Sequence, residues 1–391
     1  MTEKSLDTKL ARIKADPACR DFIIADAKDA DMAFGIAAPG KSPEMHAHEA
    51  RFRNMTEYRA VIREIVHQGL VDIMLMSAHT NSILTMEEGL FENSHITPAA
   101  RANDTTEIFA ARGAQHGTQP SRPFRTATID QIQCGRVDCD TGERERGANL
   151  GLYSVTFNND AELDRQTLEA YKAFRIEAES KGFRHFLEVF DPNAAKHPLE
   201  PGKLGAFMND MIVRCLAGVP TAGRPLFLKV VYHGPKFTEE LARYDPTLVV
   251  GVLGGSAGTT YDAFKLLADA QKHGAHVALF GRKINNAEHQ LAFIAMLRRI
   301  VDGQISAEEA VRAYHGVLQG LKITPQRTLI DDMKLTEAVF SYGGGRTAVT
   351  VPGTRSRGTA GKPAARPSFA TMSSAERLAY HRKRLQGPGE R

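Results

Sequence analysis

Short apolar runs recur along the chain, and segments with the periodicity of helices separate most of them. The runs are rich in Val, Leu, Ile and Phe, which is typical of parallel strands buried on both faces. Eight runs begin at Phe22, Val71, Ile96, Leu150, Phe183, Pro225, Leu248 and Ala275. This alternation in a chain of 391 residues predicts an α/β fold, the (β/α)8 TIM barrel. An open doubly wound sheet is the alternative, but no dinucleotide glycine fingerprint follows the first run.

Amphipathic segments between the runs predict the helices of this barrel. They cover residues 56–69, 105–112, 160–181, 204–217, 287–301 and 306–318, after a short helix within residues 1–20. Residues 113–149 do not fit a strand–helix unit, and they include a strand-like stretch at 126–134. We interpret this segment as an insertion, either a hairpin over the barrel mouth or a subunit contact.

The C-terminal residues 341–391 differ in composition from residues 1–340, which we expect to form the catalytic barrel domain. From Gly343 onward ten Lys and Arg residues stand against two Glu, whereas the whole chain has a net charge of +4. Gly, Pro, Thr and Arg without apolar periodicity predict a disordered basic tail with a short helix at 374–385. Because few aromatic residues lie in the tail, a subunit or intramolecular contact is favoured over nucleic acid.

Composition also argues against a membrane protein and a metal site. No apolar run approaches the about 20 residues that span a bilayer, and no signal-peptide segment begins the chain; we expect a cytoplasmic protein. Of the four cysteines only Cys134 and Cys139 are close in sequence, so reduced, unligated thiols are expected. The group of His46, His48 and Glu49 in a long loop is more typical of local hydrogen bonding than of a metal site.

One charged residue, Lys229, interrupts the sixth apolar run. Burial disfavours the charged ammonium form, and a neutral amine is a nucleophile that forms a Schiff base with a carbonyl. The alternative is a lysine that pairs with a carboxylate. Glu188, inside the fifth run, is a candidate for acid–base chemistry or for that pairing.

Glycine-rich loops follow the seventh and eighth runs. Gly254, Gly255 and Ser256 follow the seventh, and Gly281 with Arg282 follows the eighth. Backbone N–H groups and an arginine hold an anion well, and barrels often bind phosphate after these two strands. The two loops together predict a phosphate site.

Polar residues also end the first and third runs. Asp26 and Lys28 alternate with apolar positions, so we expect both to face the barrel interior unless they begin a solvated loop. Arg101, Asn103 and Asp104 lie where the third strand ends, which is the end at which barrel enzymes keep their chemistry. A helix cap at Asp104 is the alternative interpretation.

Three segments together resemble the DeoC/LacD/DhnA-type class I aldolases, which include tagatose-bisphosphate and archaeal-type fructose-bisphosphate aldolases. They are LKVVYHG at 228–234, GGS at 254–256 and GRKIN at 281–285. The resemblance extends over residues 22–320 and is strongest at 183–300. It implies a Schiff base on Lys229, proton transfer by Glu188, an acidic group at Asp26, and a phosphate site at Gly254, Gly255, Ser256, Gly281 and Arg282. Phe190 and Pro235 stand where the archaeal branch carries polar residues.

The function that this resemblance implies is cleavage or formation of a C–C bond in a phosphorylated ketose. Lys28 and Arg101 join the expected substrate contacts, and a homo-oligomer is expected. No cofactor or metal is expected, because a protonated imine supplies the electron sink that a Lewis-acid metal otherwise supplies. Two alternatives are a Schiff-base transaldolase or thiolase acting on a related sugar phosphate, and a non-catalytic sugar-phosphate-binding scaffold.

Overall fold

Each of the eight apolar runs forms a strand, and the strands close into a parallel barrel in the order of the sequence. The computed structural model describes residues 2–336 except 17, 43–50, 110, 196, 201, 256 and 257. The strands are β1 Ile23–Lys28, β2 Ile73–Met76, β3 Thr97–Arg101, β4 Leu150–Thr156, β5 Arg184–Phe190, β6 Leu228–Val230, β7 Gly251–Leu253 and β8 Val277–Phe280. Pairing of β1 with both β2 and β8 completes the closure. The predicted (β/α)8 TIM barrel is confirmed.

The predicted tail and its helix at 374–385 lie outside the described residues, as do Ser256 and the group of His46, His48 and Glu49. The division into a barrel domain and a tail therefore stays a prediction. Within the described ranges, no helix is both long enough and apolar enough to cross a bilayer.

Helices surround the barrel between the strands. They are α1 Ser5–Ala15, α2 Met55–Gln68, α3 Ile129–Cys134, α4 Ala161–Ser180, α5 Leu204–Ala217, α6 Pro235–Tyr244, α7 Thr260–Lys272, α8 Gln290–Val301 and α9 Ala307–Gly320. Helical turns also lie at Asp31–Phe34, Ala78–Asn81, Ser82–Glu87, Arg282–Asn285 and Leu329–Asp332. A capping box of Ser306 and Glu309 begins α9, and such a cap stabilises a helix by about 1 kcal/mol.

Side chains alternate along each strand, and this alternation divides the core into two layers. Ile23, Ala25, Phe186 and Phe227 belong to a layer inside the barrel, where the two phenylalanine rings stack with centroids 4.6 Å apart. Ile24 and its counterparts on the other strands pack against the surrounding helices. The same alternation decides which polar side chains enter the barrel.

The N-terminal helix α1 covers the end of the barrel at which the strands begin. Its Leu6, Leu10 and Ile13 side chains join the inner apolar layer. The opposite end, where the strands finish, is therefore the end that is left for polar side chains and for access from solvent.

Asp72, which precedes β2, holds this closed end together. Its carboxylate accepts hydrogen bonds from the side chains of Ser5, Lys9 and Arg298, each at 2.7 Å, and from the backbone N–H of Ile24 at 2.9 Å. Burial alone would raise the pKa of Asp72, but the cations of Arg298 and Lys9 outweigh it and hold that pKa below its ordinary value.

The segment between β3 and β4 differs from its predicted secondary structure. The strand predicted at 126–134 is wrong, because residues Ile129–Cys134 form helix α3. Thr128 and Gln131 make a capping box at its start, and Gly135 ends it in the left-handed region at φ 83°. These local signals outweigh the β-propensity of the stretch.

The helix predicted at 105–112 is also wrong. A short pair of antiparallel strands is found at its start. Asp104–Thr105 pairs with Pro123–Phe124, and a 3-10 turn follows at Thr106–Ile108. Asn193, after β5, donates to the carbonyl oxygen of Gln119 at 2.6 Å and accepts from the N–H of Ser121 at 3.1 Å. The antiparallel pair joins residues 104–105, which precede the predicted insertion, to residues 123–124 within it, and its connection contacts the loop that follows β5; the two interpretations of residues 113–149 stay predictions.

The cysteine expectation is wrong for one pair. Cys134 and Cys139 form a disulfide, because the turn that begins at Gly135 returns the chain to the end of α3. Cys19 and Cys215 are free thiols, as expected.

We expect Asp72→Asn to lower the free energy of unfolding at pH 7 by about 3 kcal/mol, because Lys9 and Arg298 lose their buried counter-charge. The folded-state pKa of Asp72 lies below its unfolded value of about 4. Its stabilisation is therefore complete above about pH 4 and is lost as the pH falls through the folded pKa. Urea unfolding of the two proteins should therefore give curves that differ most at pH 7 and approach each other as the pH is lowered below 4.

Asp302→Asn is the matched control for this prediction. Asp302 pairs with the same arginine at 3.6 Å, but its side chain is 40% exposed, so its loss should cost less than about 1 kcal/mol. Equal losses in the two variants would contradict a central role for Asp72.

Candidate active site

A buried pair of opposite charges lies inside the barrel, above the apolar layer. Lys229 of β6 and Glu188 of β5 are neighbours in the strand register, and Nζ lies 2.5 Å from Oε1. Leu228 and Val230 pack in the outer layer, so Lys229 points inward. Lys229 is 7% exposed and Glu188 is 2% exposed. Both the predicted pairing and the predicted burial of Lys229 are therefore present.

Arg101 and Ser154 complete the surroundings of Glu188. The hydroxyl of Ser154, on β4, donates to Oε2 at 2.6 Å, and Nη2 of Arg101, on β3, lies 3.4 Å from the same oxygen. Arg101 also donates to Ser154 Oγ at 3.0 Å. Both carboxylate oxygens of Glu188 are thus engaged by donors from three neighbouring strands.

Asp29 extends this group to the end of β1. Its Oδ2 accepts from Nε of Arg101 at 2.5 Å. Burial alone would raise the pKa of Asp29, but Arg101 and Lys229 outweigh it and lower the pKa. For Arg101, burial opposes the charge, yet Asp29 and Glu188 raise its pKa above the ordinary value. We call the four residues Asp29, Arg101, Glu188 and Lys229 the ionic chain, because acids and bases alternate along it.

Asp26 and Lys28 do not belong to the ionic chain. Ile24 packs in the outer layer and Ala27 in the inner layer, so the even-numbered side chains of β1 point towards the helices. The expectation that Asp26 and Lys28 face the barrel interior is therefore wrong. They form a buried ion pair of their own at 2.8 Å, and burial raises the pKa of Asp26 and lowers that of Lys28.

Two polar residues of this group, Asp29 and Ser154, were not predicted from the sequence, and Asn103 was predicted only to lie where the third strand ends. Asn103 accepts from the N–H of Ser154 at 2.6 Å and donates to its carbonyl oxygen at 2.8 Å, which joins the ends of β3 and β4. Ser154 is a polar residue inside an apolar run, the signal that identified Lys229 and Glu188. Asp29 follows Ala25 and Ala27 on the inward face of β1, whereas the sequence favoured the other face, which carries Asp26 and Lys28.

Asp104 is a further buried carboxyl group at the end of β3. Burial is the largest cause that raises its pKa to about 6, and Arg101 opposes the shift. Its Oδ1 atom has no hydrogen-bond partner within the described part of the chain. Asp104 is therefore a further carboxyl group beside the ionic chain, at the end of β3.

The loop after β8 brings Arg282 to the ionic chain. Burial lowers the pKa of Arg282, and the charge of Glu188 partly offsets this. Its Nη1 atom makes no hydrogen bond to any residue that the structure describes. A Cβ atom on Gly281 would lie 3.0 Å from the carbonyl oxygen of Ala27, so glycine allows the loop to approach β1.

The loop after β7 contributes backbone rather than charge. A Cβ atom on Gly254 would lie 2.2 Å from the ring of Phe280, and the N–H of Gly254 is bound to the carbonyl oxygen of Leu279 at 2.7 Å. Gly254 therefore serves packing. Gly255 has φ +60° and open space around it. Lys283 donates to the carbonyl oxygen of Gly258 at 2.8 Å and so connects the loops after β7 and β8.

One side-chain group among the described residues has metal-binding geometry. Ligand atoms of Cys134, Cys139 and Glu143 lie within 4.8 Å of one another. The disulfide occupies both sulfur atoms, and Arg136 pairs with Glu143 at 2.5 Å. The group lies at the end of α3 and in the turn that follows it. Among the described residues, no hydrogen bond or ion pair joins it to the ionic chain.

Comparison with known proteins gives the fold. No protein-family model matches the sequence, and no curated protein matches it. A Schiff-base-forming fructose-1,6-bisphosphate aldolase superimposes with a TM-score of 0.53 at 15% identity, covering 76% of this chain and 100% of its own. An archaeal fructose 1,6-bisphosphate aldolase gives 0.53 at 14% identity, with 76% and 100% coverage. The fructose-bisphosphate aldolase from Slackia heliotrinireducens gives 0.55 at 12% identity, with 80% and 91% coverage.

We expect Arg101→Met to lower the free energy of unfolding by about 3 to 5 kcal/mol, because it leaves Asp29 and Glu188 buried without their shared cation. Urea unfolding measures this change. Arg165→Met is the control. Arg165 pairs with Glu162, and both side chains are 60% exposed, so the free energy of unfolding should fall by less than about 1 kcal/mol. Similar losses for the two variants would show that the ionic chain is not held by Arg101.

Proposed function

We propose that this protein is a class I aldolase that cleaves or forms a C–C bond in a phosphorylated ketose. The observation that carries the proposal is the inward position of Lys229, buried beside Glu188 at 2.5 Å above an apolar layer. A lysine in such a site is suited to form an imine with a carbonyl. The shared fold of the Schiff-base-forming aldolase supports this proposal.

Glu188 moves protons at the nitrogen of Lys229 in this proposal. Its carboxylate takes a proton from the ammonium group, and the neutral amine then attacks the substrate carbonyl. The same proton returns to the carbinolamine hydroxyl, which leaves as water and gives the protonated imine. The 2.5 Å contact between Nζ and Oε1 is short enough for the first of these transfers.

Arg101, Ser154 and Asp29 hold Glu188 in place for these transfers. The hydroxyl and the guanidinium both bind Oε2, which leaves Oε1 directed at Lys229. Asp29 fixes Arg101 from the other side at 2.5 Å. Asp29 therefore takes the part that the sequence assigned to Asp26, that of the acidic group at the end of β1.

Arg282 is the proposed anchor of the substrate phosphate. Its buried guanidinium has an Nη1 atom without a hydrogen-bond partner among the described residues, and a phosphate oxygen would satisfy it. Gly255, in the loop after β7, has open space around it for the phosphate, and Gly281 allows the loop after β8 to approach β1. The sequence adds Ser256 to this group.

The proposed imine is tested by borohydride reduction in the presence of dihydroxyacetone phosphate. We expect a covalent adduct on Lys229, mapped by peptide mass spectrometry, and no adduct in Lys229→Met. Lys28 is a second buried lysine within a barrel strand, so Lys28→Met is the matched control and should keep the adduct. An adduct on Lys28, or none with any of a panel of ketose phosphates, would exclude the proposed aldolase.

Binding of dihydroxyacetone phosphate without trapping would instead support the non-catalytic scaffold. Analysis of products separates the remaining alternative, since an aldolase releases two carbonyl fragments and a transaldolase passes one fragment to an acceptor. The predicted homo-oligomer is independent of these tests and stays a prediction.

Arg282→Met should weaken recognition of the phosphate group. A hydrogen bond to a charged group contributes about 1.5 to 3 kcal/mol, so we expect the preference for dihydroxyacetone phosphate over dihydroxyacetone to fall about 10- to 150-fold in the trapping assay. The exposed Arg165→Met variant should keep the preference. An unchanged preference in Arg282→Met would mean that the phosphate binds elsewhere.

A further inference from the structure

A histidine–aspartate pair lies at the barrel mouth and is not used by the ionic chain. His233 follows β6 and Asp191 follows β5, so both lie where adjacent strands end. Nε2 of His233 is 2.9 Å from Oδ1 of Asp191, and the side chains are 15% and 14% exposed. The pair is thus partly open to solvent, in contrast to the buried Lys229.

The alternation of side chains directs His233 inward. Leu228, Val230 and Tyr232 pack in the outer apolar layer, so Lys229 and His233 project from the opposite face of the same segment. The burial pattern agrees, since Tyr232 is buried whereas His233 is only half-buried. His233 therefore lines the mouth on the same side of the barrel as Lys229.

His233 lies within reach of a substrate bound to Lys229. His233 is four residues after Lys229, and even a fully extended chain would separate their Cα atoms by no more than about 13 Å. The long side chain of Lys229 and a few atoms of a ketose chain bridge that separation. Because Phe227 and the inner apolar layer fill the barrel below Lys229, the part of the substrate beyond the imine extends towards the mouth and His233.

Glu188 is poorly placed to serve that distant part of the substrate. Its Oε1 contacts Lys229, and its Oε2 already accepts from Ser154 and Arg101. It also lies level with Lys229 in the strand register. A second acid–base group is therefore needed at the substrate carbon whose hydroxyl loses its proton when the C–C bond breaks.

We propose that His233 is this second acid–base group and that Asp191 is its positioning residue; the inference rests on the proposed aldolase function. Nε2–H donates to the carboxylate of Asp191, which leaves Nδ1 as the basic nitrogen. In the cleavage direction Nδ1 takes the proton of the β-hydroxyl, and the C–O bond becomes a carbonyl. The α–β bond breaks, and its electron pair forms the enamine and neutralises the imine. In synthesis His233 returns the proton to the aldehyde oxygen.

His233→Asn separates this role from imine formation. Trapping of dihydroxyacetone phosphate on Lys229 requires no β-hydroxyl, so it should be unchanged. Aldol addition of dihydroxyacetone phosphate to an aldehyde should slow about 100-fold or more, which is typical for loss of an acid–base group. The unaltered protein is first assayed with glyceraldehyde, glyceraldehyde 3-phosphate and erythrose 4-phosphate. The aldehyde that reacts fastest is then used for all variants. The limb of the pH–rate profile that reports on His233 should disappear.

Two further variants complete the experiment. His67 is exposed on α2, so His67→Asn is the matched control and should keep the full rate. Asp191→Asn should reduce the rate less than His233→Asn and shift the same limb of the pH–rate profile without removing it.

Three outcomes overturn the proposal. The first is an aldol-addition rate for His233→Asn within about 3-fold of that of the unaltered protein. The second is loss of trapping in His233→Asn together with loss of the addition rate. The third is an unaltered protein that is trapped by dihydroxyacetone phosphate but adds it to none of the aldehydes. Failure of the unaltered protein to be trapped at all is different, because it removes the aldolase proposal itself.

Discussion

The contact between Glu188 and Lys229 is the interaction on which the interior of this barrel depends. Each charge alone would be costly to bury, and the pair is tolerated because a complete set of partners surrounds it. Arg101 adds a second cation, Asp29 a second anion, and Ser154 a hydroxyl donor, so charge balances over four strand ends. The same contacts fix the relative positions of β1, β3, β4, β5 and β6.

The apolar layer beneath the ionic chain gives it direction. Phe186 and Phe227 stack immediately below, and α1 covers the far end of the barrel with Leu6 and Leu10. Water and substrate therefore have one approach, from the side where the strands finish. The polar side chains also differ in exposure along this direction: those of His233 and Asp191 are 15% and 14% exposed, whereas those of Lys229 and Glu188, above the apolar layer, are 9% and 2% exposed.

Strong, repeated signals made the barrel and its central pair predictable from sequence. Each strand is a continuous apolar run, and a single charge inside such a run, as at Lys229 or Glu188, predicts a buried partner of opposite charge. Asp29 was missed because Asp26 and Lys28 drew attention to the other face of β1, which was expected to turn inward, whereas Ile23, Ala25 and Ala27 lie on the inward face that leads to Asp29. Helix α3 was missed because β-branched residues suggested a strand, whereas the contact of Thr128 with Gln131 decided the outcome. The Cys134–Cys139 bond depends on a turn whose path no periodicity encodes.

Asn193 attaches the hairpin between β3 and β4 through main-chain atoms only, those of Gly117, Gln119 and Ser121. Main-chain atoms are present whatever side chains the hairpin carries. Its residues are therefore free to diverge in evolution while the attachment persists beside the barrel mouth. Substitutions in the hairpin can therefore change the surface that it presents without removing the hydrogen bonds that attach it to the loop after β5.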